Sequence, residues 1–254
     1  MELSRRRGLA AALAALALAP AGVPAWAAPE RVYAVVSVVA DHLTVTGFET
    51  TTGSLVAQNQ TERIELQTDD LERSVVRAAV AAVQASGRGR ALPLLTDDGR
   101  LYAQQAQWID GDQARVPGFL LQTLQAQKAT HLLLVTKHRG EARMRSFDAD
   151  LGTGRVEGLG FYLDRVTPMR RVESGERAVG YLAPHAYLRL SLIDVQAGRV
   201  LGARTVTAST VLSAAGGGAG ANPWDVMDSA AKFKALDELI QRATTPVWRE
   251  LLGV

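Results

Sequence analysis

The fold is decided by one stretch, residues 187–211, which reads Y-L-R-L-S-L-I-D-V-Q-A-G-R-V-L-G-A-R-T-V-T-A-S-T-V. Its first part alternates leucine with polar residues, a period of two that is typical of a strand with one buried face. A turn then follows, because Asp194 can accept a hydrogen bond from its own backbone and Gly198 can adopt a positive φ. Residues 200–211 return to β-favouring side chains. The stretch therefore predicts a long antiparallel hairpin late in the chain.

The preceding residues alternate between strand-like and helix-like segments. Residues 131–136, H-L-L-L-V-T, predict a central strand that is covered on both faces. Asp69 and Glu72 have the spacing of a capping box, which predicts a helix start, and Gly87 predicts that helix's end. Helices between strands favour a mixed sheet with crossover connections. We therefore assign the chain to the α/β (α+β) class, with a mixed β-sheet, crossover helices, the late hairpin and a C-terminal helix.

Three further helices are predicted. The first covers residues 101–109. The second starts at Pro117, which suits the first position of a helix, and its predicted buried side consists of Phe119, Leu120, Leu121 and Leu124. The third follows a glycine-rich stretch at residues 214–221, predicted to be a flexible linker. It carries an apolar stripe of helical period, within which Pro246 predicts a kink or a restart.

The first residues have the features of an export signal. Three arginines at residues 5–7 precede a small, apolar run that is too short to span a bilayer. Ala25-Trp26-Ala27 then fits the small-x-small cleavage pattern. We therefore predict that residues 1–27 are a signal peptide cleaved before Ala28, and that residues 28–254 form one α/β domain in the periplasm. The sequence favours the general secretory route over the twin-arginine route without deciding between them.

Composition excludes several classes of protein. The chain has no cysteine, so its core holds without disulfides and it cannot carry a lipid anchor of the bacterial lipoprotein type. Without the signal, 25 of the 28 basic and 25 of the 26 acidic residues remain, which leaves no net charge. Nothing in this balance indicates a nucleic-acid partner. No transmembrane segment is predicted after cleavage.

The motifs of common enzymes are absent from the sequence. It contains no nucleophile elbow, phosphate-binding loop or dinucleotide fingerprint. Its four histidines, His42, His131, His138 and His185, show no metal-ligand spacing. Asp148 and Asp150 resemble part of a calcium loop that lacks its further ligands. We therefore assign no catalytic, cofactor-binding or metal residues, predict no cofactor, and lean towards a protein that is not an enzyme.

Residues 139–185 differ from the rest of the chain. They hold seven glycines and many charges, and we predict an insertion made of one or two hairpins and a mobile tip. One segment within it is apolar, and we predict that it projects and makes a partner contact through Leu159, Phe161, Tyr162 and Leu163. The alternative is that this apolar face packs on the protein's own core.

The layout resembles a group of small envelope proteins: the amino-terminal domain of TolB, the lipoprotein activators of peptidoglycan synthases, and the curli-secretion lipoprotein. The shared feature is a D-x-x-x-G turn in the late strands, here Asp194 to Gly198. The chain departs from the lipoproteins because it lacks the lipidated cysteine. It is also similar to uncharacterised exported proteobacterial proteins with the pattern G-x-G-F-Y-x-D, here Gly158 to Asp164. The resemblance implies an envelope location and brings no site residues.

Three functions stay open on these observations. The first is a non-catalytic envelope module that binds an envelope protein or self-associates. The others are a periplasmic hydrolase with dispersed catalytic residues, and a small-ligand-binding protein. A cleft with a Ser or Asp near His42 or His185 would favour the hydrolase. An exposed apolar patch around Phe161 would favour the binding module.

Overall fold

The computed structural model describes residues 30–48, 59–146, 149–170, 175–213 and 222–254. The predicted signal peptide, cleavage site and glycine-rich linker lie outside these residues. The strands are β1 (Arg31–Val38), β2 (His42–Phe48), β3 (Gln60–Glu65), β4 (Gly89–Leu94), β5 (Ile109–Asp110), β6 (Gln113–Ala114), β7 (His131–Lys137), β8 (Arg139–Glu141), β9 (Met144–Arg145), β10 (Asp150–Leu151), β11 (Arg155–Arg170), β12 (Arg177–Asp194), β13 (Arg199–Ser209) and β14 (Leu212–Ser213). The helices are α1 (Asp70–Ser86), α2 (Gly99–Gln104), α3 (Gly118–Ala126) and α4 (Ser229–Leu252), with 3-10 turns at Gln105–Gln107 and Pro223–Val226.

The α/β assignment is confirmed, because the strands form a mixed sheet organised along β12. One edge of β12 pairs antiparallel first with β11 and then with β7, and its other edge pairs with β13 and β14. Behind these neighbours lie β2 and β1, which pair parallel with β11 and β7 respectively. The outermost strands are β3 beside β2 and β4 beside β1. The sheet therefore has two halves joined by β12 and by the short link from β1 to β2.

The predicted hairpin and the predicted central strand are both confirmed. β12 and β13 pair in register, Asp194 Oδ1 accepts a hydrogen bond from the Ala197 N–H at 2.8 Å, and Gly198 has a φ of 61°. β7 lies between β1 and β12, and Leu132 to Val135 are fully buried. A strand with neighbours on both edges and helices on both faces needs apolar side chains in both directions.

Helices and short strands cover the two faces of the sheet unequally. One face packs against α1 and α4 in a continuous core. The opposite face is covered in two separate places. In one half α2 and α3 pack on β1 and β7, and in the other β8 and β9 pack on β11 and β12. A gap is therefore left on this second face, between α2 and β8.

Three local predictions are corrected. The helix predicted over residues 101–109 ends at Gln104 and continues only as a 3-10 turn. Phe119, predicted to be buried, is 48 % exposed, because α3 packs through Leu120 and Leu124. The helix α4 continues through Pro246, so the predicted restart is wrong and the kink stays a prediction.

The hairpins predicted within residues 139–185 are present as the antiparallel pairs β9–β10 and β11–β12, and the second of them is part of the main sheet and not a separate insertion. Most of these residues belong to β11 and to the first half of β12, which pair with each other next to β2. The projecting contact predicted within this stretch is also corrected: Leu159, Phe161, Tyr162 and Leu163 are all buried. Leu159, Phe161 and Leu163 face the core under α1 and α4, and Tyr162 faces the core under β8 and β9. The sequence therefore predicted strands here but not that the central parts of β11 and β12 are buried on both faces.

Candidate functional site

A polar cleft of about 500 Å³ opens at the gap between α2 and β8. It lies where the parallel strands β1 and β7 end and where β2 begins. Open α/β sheets bind ligands in crevices outside the carboxyl ends of their parallel strands. We call this feature the strand-end cleft; its polar lining residues are Asp41, His42, Thr44, Thr46, Thr61, Arg63, Tyr102, Gln105, Lys137, Arg139, Arg155 and Glu157.

Apolar and polar side chains alternate along β2, and this explains why the floor of the cleft is polar. Leu43 and Val45 point into the core under α1 and α4. His42, Thr44 and Thr46 occupy the intervening positions, so they point to the opposite face, which is the floor of the cleft. The sequence H-L-T-V-T thus places one apolar face on the core and one polar face towards a ligand space.

Three side chains form a compact charged cluster at the head of the cleft. Lys137 Nζ donates a hydrogen bond to Asp41 Oδ1, while Asp41 Oδ2 lies 2.9 Å from His42 Nδ1. The Lys137 side chain is only 10 % exposed, and Asp41 compensates its charge. Gln105 also reaches this cluster, because its Oε1 accepts the Lys137 backbone N–H at 2.6 Å. The cluster therefore holds the ends of β1 and β7 and the turn after α2 in one arrangement.

Two glycines of β11 allow β2 and the Lys137 side chain to pack closely against this strand. A Cβ on Gly160 would lie 2.0 Å from the Thr44 carbonyl oxygen, so only glycine permits β2 to approach β11 here. Gly158 has a φ of 64°, a conformation that favours glycine, and a Cβ there would press on the Lys137 stem at 3.1 Å. The Gly158-x-Gly160 pattern noted in the sequence therefore shapes the cleft.

Three arginines surround the cleft with exposed side chains: Arg63, Arg139 and Arg155. Arg63 lies opposite Thr44 in the β2–β3 register, and Arg139 lies opposite Glu157 in the β8–β11 register. None of the three forms an ion pair with a residue that the structure describes. With Lys137, the lining carries four cations against the carboxylates of Asp41 and Glu157. The cleft therefore has an excess of positive charge, although residues 28–254 together carry no net charge.

A buried carboxylate stands behind the cleft. Glu72 Oε2 accepts a hydrogen bond from the Ala40 N–H at 2.8 Å and from the Tyr102 hydroxyl at 3.4 Å. Burial raises the pKa of Glu72 above its ordinary value. The predicted capping box is wrong, because Glu72 reaches the link after β1 and Asp69 binds the Arg73 side chain. Glu72 thereby fixes the backbone just before Asp41.

The sequence assigned no site residue here and named only His42, as a position where a nearby cleft with a Ser or Asp would favour a hydrolase; a further signal was present. Lys137 directly follows the predicted central strand, and Asp41-His42 interrupts the first strand region at the same edge of the sheet. Among the other histidines, His131 and His138 lie at opposite ends of β7 and share no site. His131 stacks on Tyr33 at a ring distance of 4.9 Å. Asp150 lies in β10, while Asp148 is outside the described residues.

Comparison with known proteins finds similar solved structures but no matching family model and no matching curated protein. The chain is similar to PelC of Paraburkholderia phytofirmans, solved as a dodecamer, with 14 % identity over 86 % of this chain and 87 % of PelC at a TM-score of 0.34. It is also similar to XCC0632 of Xanthomonas campestris, of family DUF330, with 15 % identity over 91 % and 90 % at a TM-score of 0.38.

A third similar structure is a neuraminyllactose-binding hemagglutinin homologue of Helicobacter pylori. It has 8 % identity over 89 % of this chain and 85 % of that chain, at a TM-score of 0.37. At these TM-scores the likenesses establish neither a shared family nor a shared activity. The resemblance to TolB and to the curli-secretion lipoprotein is not among these findings.

Within the described ranges, His, Asp and Glu side chains form no group of three or more that could hold a metal ion. None of the helices in the described part of the chain combines the length and apolar character that crossing a membrane requires.

His185 is a buried histidine of β12 that is not part of the lining of the strand-end cleft. It is fully buried in β12, with its ring edge-to-face on Tyr187 at 5.7 Å. Burial lowers the pKa of His185 to about 4, and the nearby Gly158 backbone opposes this shift in part. Between pH 6.5 and about 4 the unfolded chain therefore binds a proton at this residue that the folded chain does not.

We expect the free energy of unfolding to fall by about 3 kcal/mol through His185 as the pH drops from 6.5 to 4. Urea denaturation over this range measures it, and the His185→Leu variant should lose that part of the pH dependence. His138→Leu is the control and should keep it. Equal pH profiles for the wild type and His185→Leu would show that His185 becomes protonated within the folded protein.

Proposed function

We propose that this protein is a non-catalytic binding module of the bacterial cell envelope, and that the strand-end cleft is its ligand site. Export to the periplasm is proposed from the signal-like residues 1–27, with cleavage before Ala28 and one domain following. The wider partner, an envelope protein or a second copy of the chain, stays a prediction. The binding role is argued from the cleft.

The observation that carries the proposal is the set of three arginines around the cleft that lack ion-pair partners in the described chain. Guanidinium groups bind carboxylates and phosphates in a two-pronged geometry. The threonine hydroxyls on the cleft floor add neutral hydrogen-bond donors and acceptors. The volume of about 500 Å³ is in the range of small-ligand sites. The expected ligand is therefore a small compound with more than one negative charge.

Citrate is a suitable probe, because it is compact and carries three carboxylates. We expect isothermal titration calorimetry at low ionic strength to detect its binding. Replacing Arg63 or Arg155 with glutamine should weaken binding about fivefold to tenfold each, since a partly exposed charge-assisted contact contributes on the order of 1 kcal/mol. Added sodium chloride should weaken it further.

Arg199→Gln is the matched control, because Arg199 is an exposed arginine of β13 that pairs with Asp112 at the far end of β7. It should leave citrate binding unchanged. An equal loss of citrate affinity in all three variants would indicate a general charge effect. No citrate binding up to about 10 mM would show that the cleft is not an anion site. Either result contradicts the proposal.

A hydrolase is the second candidate, and one observation favours it. Asp41 contacts His42 at 2.9 Å within a cleft, which is the arrangement expected of a general base and the residue that orients it. The expected exposed patch at Phe161, which would have favoured the binding module, is absent from the described surface. Hydrolysis of p-nitrophenyl esters that disappears in a His42→Asn variant would favour the hydrolase over the binding module.

A further inference from the structure

A second cavity lies at the opposite end of β7 from the strand-end cleft. It has a volume of about 600 Å³ and opens between the end of α3 and the β12–β13 turn. We call it the α3 cavity. Ligand sites of this size combine a mainly apolar lining with a few polar groups that orient the ligand.

The floor of the α3 cavity is apolar. Leu124, Leu132 and Ile193 line it, and all three belong to the core that α2 and α3 form with the sheet. Val116 and Leu121 extend the apolar lining towards the mouth. Because Leu124, Leu132 and Ile193 are at most 1 % exposed, a ligand seated here would contact mainly the half-buried Val116 and Leu121 among the apolar side chains.

One lysine, Lys128, lies beside the apolar lining and has a strained backbone conformation. Lys128 lines the cavity and has a φ of 55°, the one positive φ outside glycine in the described chain. It follows the end of α3, where Lys128 N–H binds the Gln125 carbonyl and Ala129 N–H binds the Leu124 carbonyl. Glycine is the usual residue at this position of a helix end, because it avoids the strain of the left-handed conformation.

The lining has two other charged groups, of which Arg115 is ion-paired, whereas Asp194 keeps its negative charge on the side of the β12–β13 turn. Arg115 pairs with Asp110 at 2.6 Å, and the Asp194 carboxylate accepts the Ala197 N–H. His131 Nδ1 lies 2.8 Å from the Thr130 hydroxyl. The Lys128 ammonium makes no hydrogen bond or ion pair with a described residue, so it is the group that can receive an acid.

We propose that the α3 cavity binds a small amphipathic acid, with an apolar body against Val116 and Leu121 and one acidic group at Lys128. This site is separate from the strand-end cleft and does not depend on the function proposed there. Its two requirements, apolar volume and a single cation, distinguish its ligand from the multiply charged one expected at the cleft.

Two fluorescent probes of nearly the same shape test this. 1-Anilinonaphthalene-8-sulfonate carries an acid, and N-phenyl-1-naphthylamine has the same body without it. We expect the sulfonate to bind more tightly, and Lys128→Gln and Lys128→Gly to weaken its binding about threefold to fivefold, as for loss of one partly exposed ion pair. The neutral probe should be unaffected by these variants. Lys128→Gly should also be at least as thermally stable as the wild type.

Lys234→Gln is the matched control, since Lys234 is an exposed lysine on α4. Leu121→Trp, which places an indole in the cavity, should weaken both probes, whereas saturating citrate should displace neither. Equal affinity of the two probes, loss of sulfonate binding in Lys234→Gln as in Lys128→Gln, insensitivity to Leu121→Trp, or displacement by citrate would each overturn the proposal. A destabilised Lys128→Gly variant would show instead that the Lys128 side chain makes a stabilising contact within the protein, which would contradict a lysine left free to receive an acid.

Discussion

Replacing Phe161 with serine is expected to lower the free energy of unfolding by about 3–5 kcal/mol. The Phe161 ring is 2 % exposed and lies edge-to-face on Trp224 at 5.6 Å, within the core under α1 and α4. Serine would leave a cavity there and would bury a hydroxyl group that has no hydrogen-bond partner in this apolar core. Urea or guanidinium denaturation monitored by circular dichroism gives the value, with Phe161→Leu as a milder variant if the serine variant does not fold.

Phe119→Ser is the matched control for this experiment, because it makes the same chemical change at a ring that is 48 % exposed. It should cost much less than Phe161→Ser. The contact role that the sequence suggested for Phe161 makes the opposite prediction: an unchanged denaturation midpoint with weaker self-association or partner capture. That result would mean that residues 159–163 leave the core in solution.

Replacing Leu133 with alanine is expected to cost about 2–5 kcal/mol. Leu133 is fully buried in β7, and its register partners are Val35 of β1 and Leu192 of β12. Neighbouring strands on both edges limit how far the structure can relax into the space that the side chain leaves. The change therefore removes apolar burial and leaves a cavity.

Leu201→Ala makes the same truncation at a leucine of β13 that is 55 % exposed, and it should shift the denaturation midpoint little. A Leu133→Ala variant as stable as Leu201→Ala would contradict the central position of β7. A change of slope without a change of midpoint would point to altered compactness of the unfolded chain.

The elements that could be predicted are those whose signal is local. The β12–β13 hairpin has strict alternation, a turn-forming Asp194 and Gly198 at a positive φ, and all of these act within a few residues. β7 has a run of leucines long enough for one buried strand. Gly87 ends α1 in the left-handed conformation, as its position in the sequence indicates.

Elements whose role depends on distant partners were misjudged. Residues 139–185 were predicted to form hairpins set apart as an insertion, but β11 belongs to the main sheet, and Gly160 is needed because β2, more than a hundred residues earlier, packs against it. Glu72 has the spacing of a capping residue, yet its carboxylate accepts a hydrogen bond from the Ala40 N–H in the link between β1 and β2. Local patterns cannot distinguish a cap from a tertiary hydrogen bond when the same side chain can make both.

The sequence by itself determined the class of fold, the late hairpin and the buried central strand, because hydrophobic period and turn chemistry are properties of neighbouring residues. Only the tertiary structure decided where chemistry could occur. Asp41 and Lys137 are 96 residues apart and meet because β1 and β7 are parallel neighbours that end together. Arg63 and Arg155 join them through pairings of β2 with β3 and with β11. The cleft is a product of strand order, which no short stretch of the chain encodes.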